Sequence, residues 1–213
     1  MKKKQESNLL TSKERIANNK SVSNKKLVSL LHKMSYADLG DYLLTNKHFS
    51  KDNIVIIKQF IIEHLDNPNR LFVSDLIDFS IIYNIELPYK KCIDFLNKYG
   101  GDDDYVQMSS IDYLFYNLKC SFFPIIIKRM IQITSNPKSH VASRIRSAFF
   151  LYRHTHRERF LLDLVSFVKR DSYYEDLLMN LLSVEYNSIE FFPDSKRILE
   201  LIGRKYQIQY HQQ

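Results

Sequence analysis

From Lys26 onward, apolar residues return every three or four positions, which gathers them on one side of an α-helix. The segments are separated by cap-forming residues and not by the two-residue turns of β-hairpins. Ser50-Lys51-Asp52 opens one such helix, in which Ile54, Ile57, Ile61 and Leu65 lie at i, i+3, i+7 and i+11, and the pattern stops near Asn67-Pro68. Pro88 suits the first turn of a helix running through Cys92, Phe95 and Leu96, which Gly100-Gly101 is expected to close as a C-cap. Residues 1–25 differ. They are rich in Lys, Ser and Asn and nearly free of apolar periodicity, so they are expected to form a flexible Lys-rich arm ahead of a single helical-repeat domain over 26–213.

The helical segments carry a faint internal repeat. Gly40-Asp41-Tyr42-Leu43-Leu44, Ile77-Asp78-Phe79-Ser80-Ile81, Ile111-Asp112-Tyr113-Leu114-Phe115 and Glu175-Asp176-Leu177-Leu178-Met179 resemble one another. Arg146-Ser147-Ala148-Phe149-Phe150 fills the gap between the last two. The marker positions 41, 78, 112, 146 and 176 step by 37, 34, 34 and 30 residues. An Asn follows each Asp by four to six positions (Asn46, Asn84, Asn117, Asn180), where a helix is expected to end. Second helices are predicted near 51–66, 88–99, 121–135, 157–170 and 194–206. One acidic residue per unit can cap or salt-bridge at the same place in each repeat, while its aromatic and aliphatic neighbours fill a shared core. An irregular helical bundle is the competing arrangement.

Composition narrows the class. At 213 residues the chain can bury a sizeable core without disulfides or metals. Its four glycines and five prolines are too few for a many-stranded sandwich and leave little material for phosphate-cradling loops. The formal charge of +7 suggests nucleic acid, but residues 1–33 hold nine Lys/Arg against Glu6 and Glu14. The other 180 residues carry 22 basic and 22 acidic side chains, so the body is neutral. Within it, the stretch 138–170 is basic and its flanks are acidic. No apolar run is long enough to span a bilayer, and no apolar segment follows the first lysines, so a cytoplasmic protein is expected. Cys92 and Cys120 are expected to be reduced, buried core residues.

Catalytic and nucleotide-binding signatures are absent from the sequence, so a non-enzymatic protein without a cofactor is expected. His154-Thr155-His156 with His140 resembles metal ligation only loosely, since alternating His on a helix point apart. Asp102-Asp103-Asp104 lacks the spaced ligands of a calcium loop and is expected to precede and cap the next helix. The cluster Arg144, Arg146, Arg153, Arg157 and Arg159 is the candidate partner-binding set, because guanidinium groups grip carboxylate or phosphate in bidentate geometry. If helix runs on through it, Arg146, Arg153 and Arg157 line one stripe opposite Val141, Ile145, Ala148 and Tyr152. A merely solvated face is the plainer account of the same residues.

Paired helices with an Asp in each first helix resemble a HEAT-like α-solenoid. The likeness covers about residues 34–206 and is carried by Asp41, Asp78, Asp112 and Asp176, though alanines are few and no Asp/Arg ladder is evident. It implies an all-α fold of about five antiparallel helix pairs stacked as a short right-handed solenoid. Small solenoids of this kind include bacterial immunity proteins that neutralise a cognate toxin. The implied function is therefore a protein-binding scaffold of the immunity or antitoxin type, with an acidic surface on its partner and no membrane role. The alternative is a nucleic-acid-binding accessory protein using the basic arm and the Arg stripe. HEAT-like DNA glycosylases rely on tryptophans around the lesion, and this chain has none.

Overall fold

The computed structural model of the chain describes residues 22–46, 48–98, 100–169, 171–186 and 195–203, and every regular element among them is helical. The α-helices are α1 (Asn24–Lys33), α2 (Tyr36–Thr45), α3 (Lys51–His64), α4 (Arg70–Ile82), α5 (Tyr89–Phe95), α6 (Asp103–Tyr116), α7 (Phe123–Ser135), α8 (Val141–Thr155), α9 (Glu158–Val168), α10 (Ser172–Tyr186) and α11 (Ser195–Leu201). A 3-10 turn, Cys120–Phe122, leads into α7. The chain folds as two compact units, the first ending at Asp66 and the second beginning at Asn67.

Among the described residues of the first unit, each helix starts on a serine. The Ser23, Ser35 and Ser50 hydroxyls accept from the backbone N–H groups of Lys26, Asp38 and Asn53. At Ser50 the Asn53 side chain returns the bond to the Ser50 N–H, which satisfies two donors that a helix start otherwise leaves open. Asn53 also donates to Asn24 Oδ1 at 2.8 Å, tying α3 to the start of α1. Leu27, Leu31, Leu43, Ile57 and Ile61 are buried. The arm expected over 1–25 lies outside the described residues as far as residue 21, and its last two residues, Asn24 and Lys25, belong to α1.

In the second unit α4 packs on α6, α6 on α8 and α8 on α10. Of the other helices, α5 packs on α6, α7 on α8, and α9 on both α8 and α10. The contacts between α4 and α6 advance together along both helices, from Arg70 with Asp103 (3.4 Å) to Ser74 with Ser109 (2.7 Å). These two helices therefore run in the same direction. Phe72, Leu76, Ile77 and Phe79 of α4 and Val106, Ile111 and Leu114 of α6 are buried, and each large apolar side chain removed from water contributes about 1.5–3 kcal/mol. Tyr113, also on α6, accepts from the Leu87 N–H (2.9 Å) and so fastens the link between α4 and α5.

Several boundaries differ from expectation. The helix beginning after Pro88 ends at Phe95, and Gly100 and Gly101, at φ 94 and 57, form the turn into α6 rather than a C-cap. Asn46 and Asn117 do end α2 and α6, and Asn84 takes a left-handed φ of 51 one residue beyond the C-cap of α4. Asn180 lies inside α10, which continues to Tyr186. Asp102 occupies the N-cap of α6 without a side-chain bond, while Asp103 and Asp104 fill its first turn, where their charge favours the helix dipole. Cys92 is buried, but Cys120 is exposed in the 3-10 turn, which corrects its placement in the core.

Candidate functional site

Helices α4, α6 and α8 bring three marker positions, each 34 residues after the last, into one polar network. Asp112 Oδ2 accepts from Arg146 Nε at 2.9 Å, with both side chains largely buried. Arg146 Nη1 also lies 3.6 Å from Met108 Sδ, one turn earlier on α6. Asp78 is hydrogen bonded to Ser109, whose hydroxyl meets Ser74 at 2.7 Å. Sequence reasoning singled out Asp78, Asp112 and Arg146 but missed Ser74, Asp75, Met108 and Ser109. The available signal was the same step of 34 residues, which pairs 74 with 108 and 75 with 109.

Burial acts on the carboxyls before anything else does. The Asp78 carboxyl is raised to about 6, first by burial and then by the charges of Asp112 and Asp75, against a hydrogen bond from Ser109 and the Arg146 charge. Burial raises the Asp112 carboxyl as well, with Arg146 pulling the other way. A carboxyl raised in the folded chain contributes stability that is complete below its unfolded value of 3.8 and is lost as pH rises through about 6. Asp78→Asn keeps an acceptor for Ser109 and removes that loss. It is therefore expected to stabilise the fold at pH 7.5 by about 2 kcal/mol and to have little effect near pH 4. Urea melts of both proteins between pH 4 and 8 check this, and parallel pH profiles would contradict it.

The five candidate arginines do not form one stripe. Helix α8 ends at Thr155, because His156 takes a left-handed φ of 51 and donates its backbone N–H to the Tyr152 carbonyl, and Arg157 becomes the N-cap of α9. Arg144 donates to the Thr134 carbonyl (3.0 Å) and lies over the Phe167 ring at 4.2 Å. Arg146 is held by Asp112. Arg153 is half-buried, whereas Arg157 and Arg159 are exposed around the start of α9. Of the other markers, Asp41 and Asp176 are both exposed, on α2 and α10.

His140, His154 and His156 all lie on or beside α8. His140 caps α8 by accepting from the Ala142 N–H (3.2 Å), and His156 closes the same helix. His154 sits among aromatic rings, 4.5 Å from Phe150 and 5.4 Å from Phe115 between centroids. Burial, then Arg153 and His156, lower its pKa, which favours the neutral ring. Among the described residues no group of three His, Cys, Asp or Glu is placed to hold a metal ion, and no helix is long and apolar enough to cross a membrane. A cavity of about 10 Å³ beside Asp112 and Arg146 has room for a single water. A polar cleft of about 140 Å³ lies elsewhere in the unit, lined by Gln107, Arg129, Gln132 and Asn136 among others. No protein-family model matches the chain, and neither a curated protein nor a solved structure matches it.

Proposed function

We propose that the chain is a non-enzymatic protein-binding scaffold of HEAT-like solenoid type, acting in the cytoplasm as an immunity or antitoxin-type inhibitor of one cognate protein. The observation that carries this reading is the meeting of positions 78, 112 and 146 across α4, α6 and α8, with α4 and α6 running in the same direction. Stacked repeats bring equivalent positions of neighbouring units into contact in this way, and their outer faces serve recognition. Arg157 and Arg159, with Arg153 nearby, offer an acidic partner surface its contacts, while Arg144 and Arg146 brace the helices behind them. The test is recovery of the tagged full-length chain from its native host. One stoichiometric protein partner is expected, and its absence across lysis conditions of low and physiological salt overturns the reading.

The second reading, a nucleic-acid accessory protein, is favoured by the concentration of the net charge in residues 1–33 and by the exposure of Arg157 and Arg159. Phosphate contacts make affinity fall steeply with salt. Binding to an unrelated oligonucleotide should then weaken with added salt and on removal of residues 1–25. Indifference to both excludes it.

A further inference from the structure

The face shared by α4 and α6 combines exposed apolar side chains with carboxylates. On α4, Leu71, Asp75, Asp78 and Ile82 follow at i, i+4, i+7 and i+11 and so share one side of the helix. On α6, Tyr105, Met108, Asp112 and Tyr116 repeat that arrangement at i, i+3, i+7 and i+11. Asp78 reaches Ser109 and feels the charge of Asp112, so the two stripes lie side by side. Leu71 and Tyr105 near the starts of the helices are 44% and 48% exposed, and Ile82 and Tyr116 at their ends are 61% and 45% exposed. The carboxylates lie between these two apolar ends.

We infer that this face docks a basic, amphipathic segment of another protein, its apolar side chains seated on Leu71, Ile82, Tyr105 and Tyr116 and its Lys or Arg side chains against Asp75 and Asp78. The inference rests on the protein-binding reading and names the chemistry of what one face takes. Charge selects the occupant. The charged groups acting on Asp78 are Asp112, Asp75 and Arg146, two carboxylates against one guanidinium, and Arg146 is already engaged by Asp112. A nucleic acid backbone would be repelled there. The carboxylates are spread along two helices and are not gathered to ligate one metal ion. Ammonium and guanidinium groups recurring every three or four residues on a partner helix match that spread. Tyrosine combines a large apolar body with a polar tip and is a frequent anchor of protein interfaces. A cation placed over Asp78 also relieves the burial and like-charge repulsion that raise its carboxyl, so docking removes a cost carried by the free protein.

The probe is a dye-labelled helical peptide of Leu and Lys, about 18 residues and five turns long, compared with the same peptide carrying Glu for Lys. Fluorescence anisotropy with the full chain at pH 7.5 reads the affinity. Because the chain carries a net charge of +7, nonspecific attraction favours the Glu peptide, whereas the proposed face favours the Lys peptide. The Lys peptide is expected to bind at least about tenfold tighter than the Glu peptide, and the double variants Asp75→Asn/Asp78→Asn and Tyr105→Ala/Tyr116→Ala are each expected to weaken it about tenfold. Val55→Ser, an exposed apolar position in the first unit, should leave it unchanged. Asp78→Asn is expected to stabilise the fold, so a loss of binding cannot be assigned to unfolding. Preference for the Glu peptide, or affinities within about twofold across all variants, overturns the inference. A chain that recovers a stoichiometric partner yet shows no such preference sinks the inference alone. A chain that recovers no partner sinks the reading beneath it.

Discussion

Alanine in place of Arg146 is expected to lower the unfolding free energy of the second unit by about 2–3 kcal/mol at pH 7.5. The guanidinium is 18% exposed and its partner 25%, so the pair is largely withdrawn from water, and its removal leaves Asp112 with a partly buried charge and no counterion. The pH dependence has a definite sign. Without Arg146 the Asp112 carboxyl rises further, and a raised carboxyl stabilises the folded chain at low pH and ceases to do so as pH rises. The variant should therefore be least impaired near pH 4 and most impaired above pH 7. Asp112→Asn in the same background should recover part of the loss, because it removes the stranded charge. Chemical denaturation monitored by circular dichroism measures all three proteins. Equal stability of Arg146→Ala and the parent at pH 7.5 would show that the pair does not hold α6 to α8.

The other large effect comes from the apolar side of α8. Phe150 is fully buried, packs within 6.0 Å of the Phe115 ring of α6 and lies 4.5 Å from His154 on its own helix. Truncation to alanine removes most of that buried area and opens a cavity that rigid neighbours refill only in part, at a cost of about 4 kcal/mol. His154 would also lose part of its aromatic enclosure, so its pKa should move back toward that of a free imidazole, a change that NMR titration of the ring protons detects. A loss of less than about 1 kcal/mol would mean that the site collapses around the smaller side chain, contrary to its close packing.

The sequence revealed the helices more clearly than their connections. Helix α3 was legible because Ser50-Lys51-Asp52 and the helical recurrence of Ile54, Ile57, Ile61 and Leu65 point to the same element. The conditional stripe along α8 stops short because His156 adopts a left-handed conformation that its residue type only weakly announces, which leaves Arg157 at the N-cap of α9, the helix expected over 157–170. Gly100-Gly101 was a true stop signal attached to the wrong element, since the helix before it had already closed at Leu96. The step of 34 residues marked positions 78, 112 and 146 as equivalent, with no Asp/Arg pairing foreseen, and in the structure Asp112 pairs with Arg146 while Asp78 lies within reach of their charges. It did not say that Arg146 would turn inward to Asp112, because a spacing rule carries no information about which of two nearby carboxylates a long side chain reaches. Nor could it place the serines, whose short hydroxyls matter only once α4 and α6 are known to touch.

The chain's two cysteines also provide an internal gauge of opening. Cys120 meets solvent, while burial pushes the Cys92 thiol up to about 12 and keeps it protonated on the buried side of α5. A thiol reagent offered to the native protein therefore titrates one sulfur, and the second becomes reactive only when the layer over it lifts. The delay between the two labelling events reports how often the α5 region breathes, with no introduced probe and no change to the sequence.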